Sequence, residues 1–245
     1  MALANPGNLQ GVLNRLVYAS PLRGASVPVS IVNDSKINAW TDGQQIYVSS
    51  GLLKAFQGNT DLVASVFAHE LGHILANHEP QGRPRQSPLR YLSYFTPALS
   101  LLPYGNIYGS VAGTAVNQGV QMQNYAYDRI QENEADAIGV YVAAKAGYNA
   151  MGLSQFFDYL GGSGFGVPKN ISIPTSLAAI PQSAVVTLLS TSPLYRSHPP
   201  SNERKKIVSL MIQRKLGLIT QDALRKESAW LAEMYETLEQ RSPKN

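Results

Sequence analysis

The sequence predicts an α+β fold that is predominantly helical, with one small sheet, in a single domain spanning residues 1–245. Most of the chain places apolar side chains at helical spacing, whereas three short runs near the N-terminus have the composition of strands. A chain of 245 residues can bury one sizeable core or at most two small ones, and this chain has no internal repeats.

The first half of the chain contains the predicted sheet and a helix rich in histidine. Residues 9–19 have apolar positions at helical spacing, and SVPVSIVN, INAW and QQIYVSS are typical of strands, with TDG as the turn before the last. The segment NTDLVASVFAHELGHILANH predicts a helix that is capped by Asn59 or Thr60. The side chains predicted to form its buried stripe are Val63, Phe67, Leu71 and Ile74.

The second half is also mostly helical. A long helix is predicted at about 112–146, a short one covers NAMGLSQFFDYL, and two more occupy about 200–215 and 221–241. Residues 161–193 open with GGSGFG and remain rich in proline and serine, which predicts a long loop.

The charge and cysteine content limit the classes of function. The net charge is +4, but the basic residues are scattered, and the densest cluster (Arg204, Lys205 and Lys206) lies at helical spacing. This pattern favours a solvated helix face over a nucleic-acid site. Because the chain has no cysteine, it has no disulfide framework, no thiolate metal ligand and no thiol nucleophile.

The composition also bears on location. Charged residues are scarce at 15%, while Asn, Gln, Ser, Tyr and Gly are plentiful, which is commoner in exported proteins. No stretch is long and apolar enough to span a bilayer, and MALANPGNLQ lacks the pattern of a signal peptide. We expect a periplasmic or peripheral membrane-associated protein from which any export signal or anchor has been removed.

Three of the four histidines fall within AHELGHILANH, residues 68–78. His69 and His73 are one helical turn apart on the same face, so both imidazoles can reach one cation at about 2.0–2.1 Å. Glu70 is rotated by about 100° from His69 and can act as a general base toward a metal-bound water. His78 is predicted to be an exposed histidine on the opposite face. HExxH is only moderately specific, so a third ligand is needed.

The segment QENEADAIG supplies three acids about sixty residues later. Glu132 and Asp136 share a helix face, whereas Glu134 points away from both. If Glu132 completes a His₂Glu site, the fourth position stays open for water, and Asp136 can accept the ring N–H of a ligating histidine. The alternative is a solvated acidic helix segment, which fits poorly with the small and apolar residues around the acids.

The segment SHPPSNER contains the remaining histidine, His198, with Arg204 six residues further on. A pair of donors facing the open side of a metal site would stabilise the oxyanion of a tetrahedral intermediate. From these residues alone, a loop histidine and a helix-surface arginine are the favoured interpretation.

Together, HELGH, ENEADAIG followed by AGYNA, and SHPPSNER resemble the gluzincin peptidase family of the HtpX heat-shock protease and the CAAX prenyl endopeptidase, most closely its soluble, BepA-like branch. The resemblance runs from about residue 27 to 206 and implies a gluzincin-type fold with a small sheet beside the HExxH helix. It implies one Zn²⁺ per chain, with site residues in four roles. These are the metal ligands His69, His73 and Glu132, the base Glu70, the supporting Asp136, and the substrate-facing His198 and Arg204.

The chain departs from the family in several places. It has WTDGQ where the family often has an apolar-Pro-Gly-Gly turn, and it lacks the spanning helices of membrane members and the tetratricopeptide tail of some soluble ones. The segment at 161–193 is longer than usual. These departures leave the chemistry intact but bear on the choice of substrate.

The leading hypothesis is a zinc metalloendopeptidase that hydrolyses unfolded or misassembled protein in quality control. The alternative is a zinc-stabilised client-binding or assembly factor that cuts little, but a pure binder has no need of the base Glu70. Nucleic-acid binding has only the modest positive charge in its favour.

Two further expectations concern substrate access. The strand QQIYVSS is predicted to be a sheet edge to which an extended substrate adds as a strand. The loop from residue 161 to His198 is predicted to gate the cleft. His198 then either approaches the fourth metal position or turns toward the substrate carbonyl beside Arg204.

Overall fold

The computed structural model describes residues 6–56, 59–78, 118–161, 198 and 201–244. The helices are α1 (Pro6–Ala19), α2 (Ser50–Ala55), α3 (Thr60–Leu75), α4 (Gln118–Lys145), α5 (Gly152–Gly161), α6 (Asn202–Lys215), α7 (Gln221–Glu227) and α8 (Ala229–Arg241). The strands are β1 (Val29–Val32), β2 (Ala39–Thr41) and β3 (Ile46–Ser49). The predicted α+β, predominantly helical fold is confirmed. The loop predicted after residue 161 lies outside the described residues, apart from His198.

The final helical segment differs from its prediction. A single helix at 221–241 was expected, but Ser228 adopts an extended conformation (φ −161°, ψ 104°) and separates α7 from α8. Serine competes poorly in a helix interior because its side chain favours turns and caps. The break lets α8 fold back along α7, where Gln221 Nε2 donates a hydrogen bond to the carbonyl of Ala232 at 2.8 Å.

The three strands form one mixed sheet in the order β1-β3-β2. β1 runs parallel to β3 with Val29 opposite Ile46, and β2 runs antiparallel to β3 with Trp40 opposite Tyr47. The turn between β2 and β3 is stabilised by Asp42 Oδ1, which accepts hydrogen bonds at 3.0 Å from the backbone N–H groups of residues 44 and 45.

The prediction that QQIYVSS forms an open edge is therefore wrong, because β3 has a partner on each side. The TDG turn folds β2 against one side of β3, and β1 pairs with the other. Proline at Ile46 or Val48, both fully buried, would disrupt the centre of the sheet rather than test a substrate edge.

Helix α3 lies at the centre of the fold. Asn59 is its cap and accepts a hydrogen bond from the N–H of Leu62 at 3.0 Å. The predicted stripe is buried, but so is every other residue from Leu62 to Leu75, because α3 packs against α1, β2, α4 and α5. A helix that is buried on all sides is a rigid base for functional side chains.

Two glycines allow α3 and α4 to approach closely. A Cβ added to Gly72 would lie 2.7 Å from the carbonyl oxygen of Ala135, and one added to Gly139 would lie 3.0 Å from the backbone nitrogen of His69. Real Cβ atoms rarely come this close to backbone, so any larger residue would separate the helices. The contact fixes the distance between the histidines of α3 and the acids of α4.

We expect Gly72→Ala to destabilise the protein by about 1–3 kcal/mol, as overpacking of a core does. If the predicted ligands bind a metal ion, the variant should also bind it more weakly, because Glu132 moves away. Denaturant melts and metal titrations measure the two effects. Gly11→Ala in α1 is the matched control: Gly11 is exposed, nothing lies within 4 Å of an added Cβ, and alanine favours a helix interior. A Gly72→Ala variant that matches the control in both measurements would contradict this account of the packing.

Candidate metal centre

The two histidines of α3 converge as their spacing predicts. His69 Nε2 and His73 Nε2 lie 3.1 Å apart, with the two rings at a steep angle to each other. Both side chains are buried, so the helix presents two imidazole nitrogens to one enclosed point.

Glu132 reaches the same point from α4. Its Oε1 lies 3.3 Å from His73 Nε2, and its Oε2 lies 3.4 Å from His69 Nε2. Gly72 and Gly139 allow α4 to pack closely against α3. The carboxylate of Glu132 therefore reaches the histidines across the interface between the two helices.

His198 is the fourth member of the cluster. Its Nδ1 lies 2.8 Å from Glu132 Oε1 and 3.2 Å from His69 Nε2. Its other nitrogen, Nε2, lies 3.5 Å from Glu70 Oε1. His198 is buried, which differs from the loop histidine that the residues alone favoured.

This donor set fits a metal ion. The ligand atoms of His69, His73, Glu132 and His198 all lie within 4.8 Å of one another. Nitrogen and oxygen ligands at 2.0–2.1 Å from a tetrahedral zinc ion are about 3.3–3.4 Å apart, and the separations given above are mostly 3.1–3.4 Å. Imidazole and carboxylate are ligands that zinc accepts. The four side chains could therefore hold one ion.

A buried ion-pair network supports the cluster. Asp136 Oδ1 lies 2.9 Å from His69 Nδ1, on the side of the ring that faces away from the cluster. Arg204 contacts both oxygens of Asp136, at 2.7 and 2.8 Å, and its Nη1 lies 2.8 Å from Glu132 Oε2. The guanidinium also lies over the ring of Phe157, 4.8 Å from its centroid.

Arg204 is 1% exposed, so the prediction that it belongs to a solvated basic face is wrong. Lys206, two residues further on, is exposed, as that prediction requires. The difference arises because the guanidinium is neutralised by Asp136 and Glu132, and a buried charge is tolerated only when it is paired. Arg204 therefore faces Asp136 and Glu132 rather than solvent.

Glu70 lies beside the four possible ligands. It is 1% exposed, and its Oε1 accepts no hydrogen bond from any residue that the structure describes. Burial raises the pKa of its carboxyl group, against the opposing effect of His198 and His69. A buried carboxylate with a raised pKa beside a set of possible metal ligands has the properties of a general base.

The pKa values of the cluster reflect its charges. At Glu132 burial raises the pKa, but His198 and Arg204 hold it well below the usual range, so this carboxylate is ionised. Burial lowers the pKa of His73 well below its ordinary value. Burial also lowers the pKa of His69, but contacts with two neighbouring carboxylates outweigh it and raise the value to about 10.

The prediction that His78 is exposed on the opposite face is wrong, because α3 ends before it. Asn77 has a positive φ of 56°, its N–H bonds the carbonyl of Ile74, and the N–H of His78 bonds the carbonyl of His73. This Schellman arrangement turns the chain back over the last helical turn. His78 is 8% exposed and contacts His73. The asparagine, which tolerates the left-handed conformation, was the signal in the sequence for this turn.

A family model for peptidase family M48 matches residues 4–211 of the chain. The chain belongs to peptidase family M48. Membership places it among the metallopeptidases, in agreement with the buried His and Glu cluster. The predicted resemblance to the BepA-like branch of the family is also confirmed by relatives of the chain.

Three relatives of the chain carry protease names. The chain is 32% identical over 134 residues to a putative β-barrel assembly-enhancing protease of Vibrio cholerae, and 25% identical over 134 residues to the β-barrel assembly-enhancing protease of Escherichia coli. It is 30% identical over 143 residues to mitochondrial metalloendopeptidase OMA1 of Arabidopsis thaliana. The matches cover 53%, 53% and 58% of this chain, respectively, but only 27% of each relative.

None of the helices in the described part of the chain combines the length and the apolar character that crossing a bilayer demands.

Proposed function

We propose that this M48 protein is a zinc metalloendopeptidase that holds one Zn²⁺ per chain through His69, His73 and Glu132. The observation that carries the proposal is the enclosed donor set with Glu70 next to it, whose Oε1 accepts no hydrogen bond from the described residues. The relatives named as proteases and as a metalloendopeptidase support the same activity.

Each residue of the centre has a distinct part in the proposed reaction. A bound zinc ion would supply Lewis acidity for the attacking water and the scissile carbonyl. Glu70 takes a proton from the attacking water and returns it to the leaving amine, which its burial and raised pKa favour. Glu132 and the two histidines of α3 define the position at which the reaction occurs.

Asp136 and Arg204 are proposed to position the ligands. Asp136 faces His69 Nδ1 at 2.9 Å, so it holds the ring with Nε2 directed into the cluster. Arg204 was expected to face the substrate and stabilise an oxyanion. Its contacts with Asp136 and Glu132 instead favour a role in fixing the two carboxylates.

His198 is proposed to occupy the fourth ligand position in the state described by the structure. Its Nδ1 lies among the ligand atoms of Glu132 and His69, where it would take the position that a metal-bound water needs. The family resemblance implies instead that His198 faces the substrate. The geometry favours the blocking role, because the ring is directed into the cluster rather than away from it.

We expect His198→Ala to raise the cleavage of a flexible substrate such as casein. If the open state is a minor state populated at about 10% or less, removal of the blocking ring gives an increase of about tenfold or more. A loss of turnover by roughly 10²–10³ would instead assign His198 the role of transition-state donor. Activity within about twofold of the parent, with unchanged zinc, would remove it from both roles.

The activity is tested by two measurements on the purified protein: zinc per chain, and casein cleavage with and without a chelator. One zinc per chain with chelator-sensitive cleavage is the expected result. One zinc with no cleavage, also in the His198→Ala variant, would favour the alternative of a zinc-stabilised binding or assembly factor.

The substrate is proposed to be unfolded or misassembled protein. Two of the relatives are named for enhancing β-barrel assembly, which supports a role in protein quality control. A periplasmic or peripheral membrane-associated location is proposed on the same basis and on the low content of charged residues.

A further inference from the structure

A second chain of buried polar contacts extends from the metal centre. His73 Nδ1 lies 2.9 Å from His78 Nδ1, and His78 Nε2 lies 2.8 Å from Glu134 Oε2. The side chains of His78 and Glu134 are 8% and 5% exposed, so both contacts are largely shielded from water. The proposed reaction uses neither residue.

A metal ion bound by His73 would fix the direction of the hydrogen bonds in this chain of contacts. If His73 ligates through Nε2, which faces the cluster, its proton must be on Nδ1. That N–H then donates to His78 Nδ1, which must be an acceptor and leaves the proton of His78 on Nε2. The Nε2–H of His78 donates in turn to the carboxylate of Glu134. Each ring then has one donor and one acceptor, and all of them are paired.

The two histidines of α3 are thus supported in parallel. The outer nitrogen of His69 faces Asp136 directly, whereas the outer nitrogen of His73 reaches a carboxylate through one intervening imidazole. Glu134 points away from Glu132 and Asp136 on α4, as its helical position requires, and this places it on the side where the chain folds back after α3.

We propose that His78 and Glu134 are positioning residues that hold His73 in the tautomer and orientation required for metal binding. The inference rests on the proposed function, since it takes His73 as a metal ligand. The Schellman turn is the structural device that brings the ring of His78 into contact with His73.

Two substitutions at His78 separate its hydrogen bonding from its packing. His78→Phe keeps the ring volume but removes the acceptor, which leaves the N–H of His73 buried and unpaired. His78→Asn retains an acceptor near the position of Nδ1 but does not reach Glu134. Zn²⁺ affinity is measured by chelator competition, and the geometry of the site by the visible spectrum of the Co²⁺-loaded protein.

We expect His78→Phe to weaken Zn²⁺ binding by about 10–100-fold, as the loss of a partner that orients a ligand does, and to alter the Co²⁺ spectrum. His78→Asn should recover part of both. Glu134→Gln should weaken binding less, and it should add little in the His78→Phe background because the two residues act in one chain. Glu203→Gln, an exposed acid on α6, is the matched control and should leave both measurements unchanged.

Parent-like affinity and spectrum in a folded His78→Phe variant would overturn the inference. If that variant does not fold, Glu134→Ala decides, because it removes the acceptor of the His78 Nε2–H bond and leaves every ring in place. A parent-like Co²⁺ spectrum there would equally overturn it. The proposed function has its own control: a parent protein that binds no metal, or whose binding survives His73→Ala, overturns the ligand assignment. Failure confined to the His78 and Glu134 variants overturns only the positioning role.

Discussion

Glu70→Gln is expected to abolish nearly all peptide cleavage while leaving zinc binding unchanged. Glutamine has almost the same shape as glutamate but cannot accept a proton, so the substitution removes the base and little else. Loss of a general base costs roughly 10²–10⁴-fold in rate. The measurement is casein cleavage at saturating zinc, together with zinc content per chain.

The expected loss of cleavage follows from the buried position of Glu70 beside the cluster. Glu70 is buried, and its Oε1 lies 3.5 Å from Nε2 of His198, a member of the cluster. Burial also means that glutamine does not expose new surface or alter a surface charge. Glu203→Gln on α6 serves as the matched control, because its side chain is exposed and distant in sequence from every cluster ligand except His198. Substantial cleavage by a zinc-loaded Glu70→Gln variant would contradict the proposed mechanism.

Glu132→Gln is expected to have the opposite pattern and lose zinc. A neutral amide is a poor ligand, and this carboxylate is the only anionic member of the four-residue donor set. We expect affinity to fall by more than about 100-fold, the upper figure for loss of a residue that merely supports a ligand. Competition with a nanomolar chelator measures the change. Asp136→Asn is the graded comparison, with an expected loss of about 10–100-fold.

The fold is expected to survive the Glu132 substitution. Arg204 keeps both of its contacts with Asp136, so its buried charge is still paired. A denaturant melt of the zinc-free protein checks this point against the zinc-free parent. Retention of full zinc binding by a folded Glu132→Gln variant would show that the ligand assignment is wrong.

Much of the candidate site was predictable from local spacing. The four-residue intervals between His69 and His73, and between Glu132 and Asp136, place each pair on one helix face whatever the rest of the chain does. The helices, the three strands and the helical character of the fold follow from similarly local patterns. These features are set by helix pitch and strand alternation, which act over a few residues.

Features that depend on distant contacts were harder to predict. The pairing of β3 on both sides depends on a partner, β1, that lies before β2 in the chain, and nothing local to QQIYVSS reports it. The burial of Arg204 depends on Asp136, 68 residues away, and that of His78 on Glu134, 56 residues away. A charged or polar side chain is classified as exposed from sequence unless its partner is known.

The sequence by itself determined how the candidate site residues are arranged within each helix, because those relations follow from backbone geometry over one or two turns. The tertiary structure alone decided how the two helices meet and what surrounds them. The backbone contacts at Gly72 and Gly139 set the distance from His69 and His73 to Glu132. Long-range ion pairs and the turn after α3 bury side chains that the sequence predicts to be exposed, and these side chains then contact the candidate metal centre, since only in the folded chain are their partners within reach.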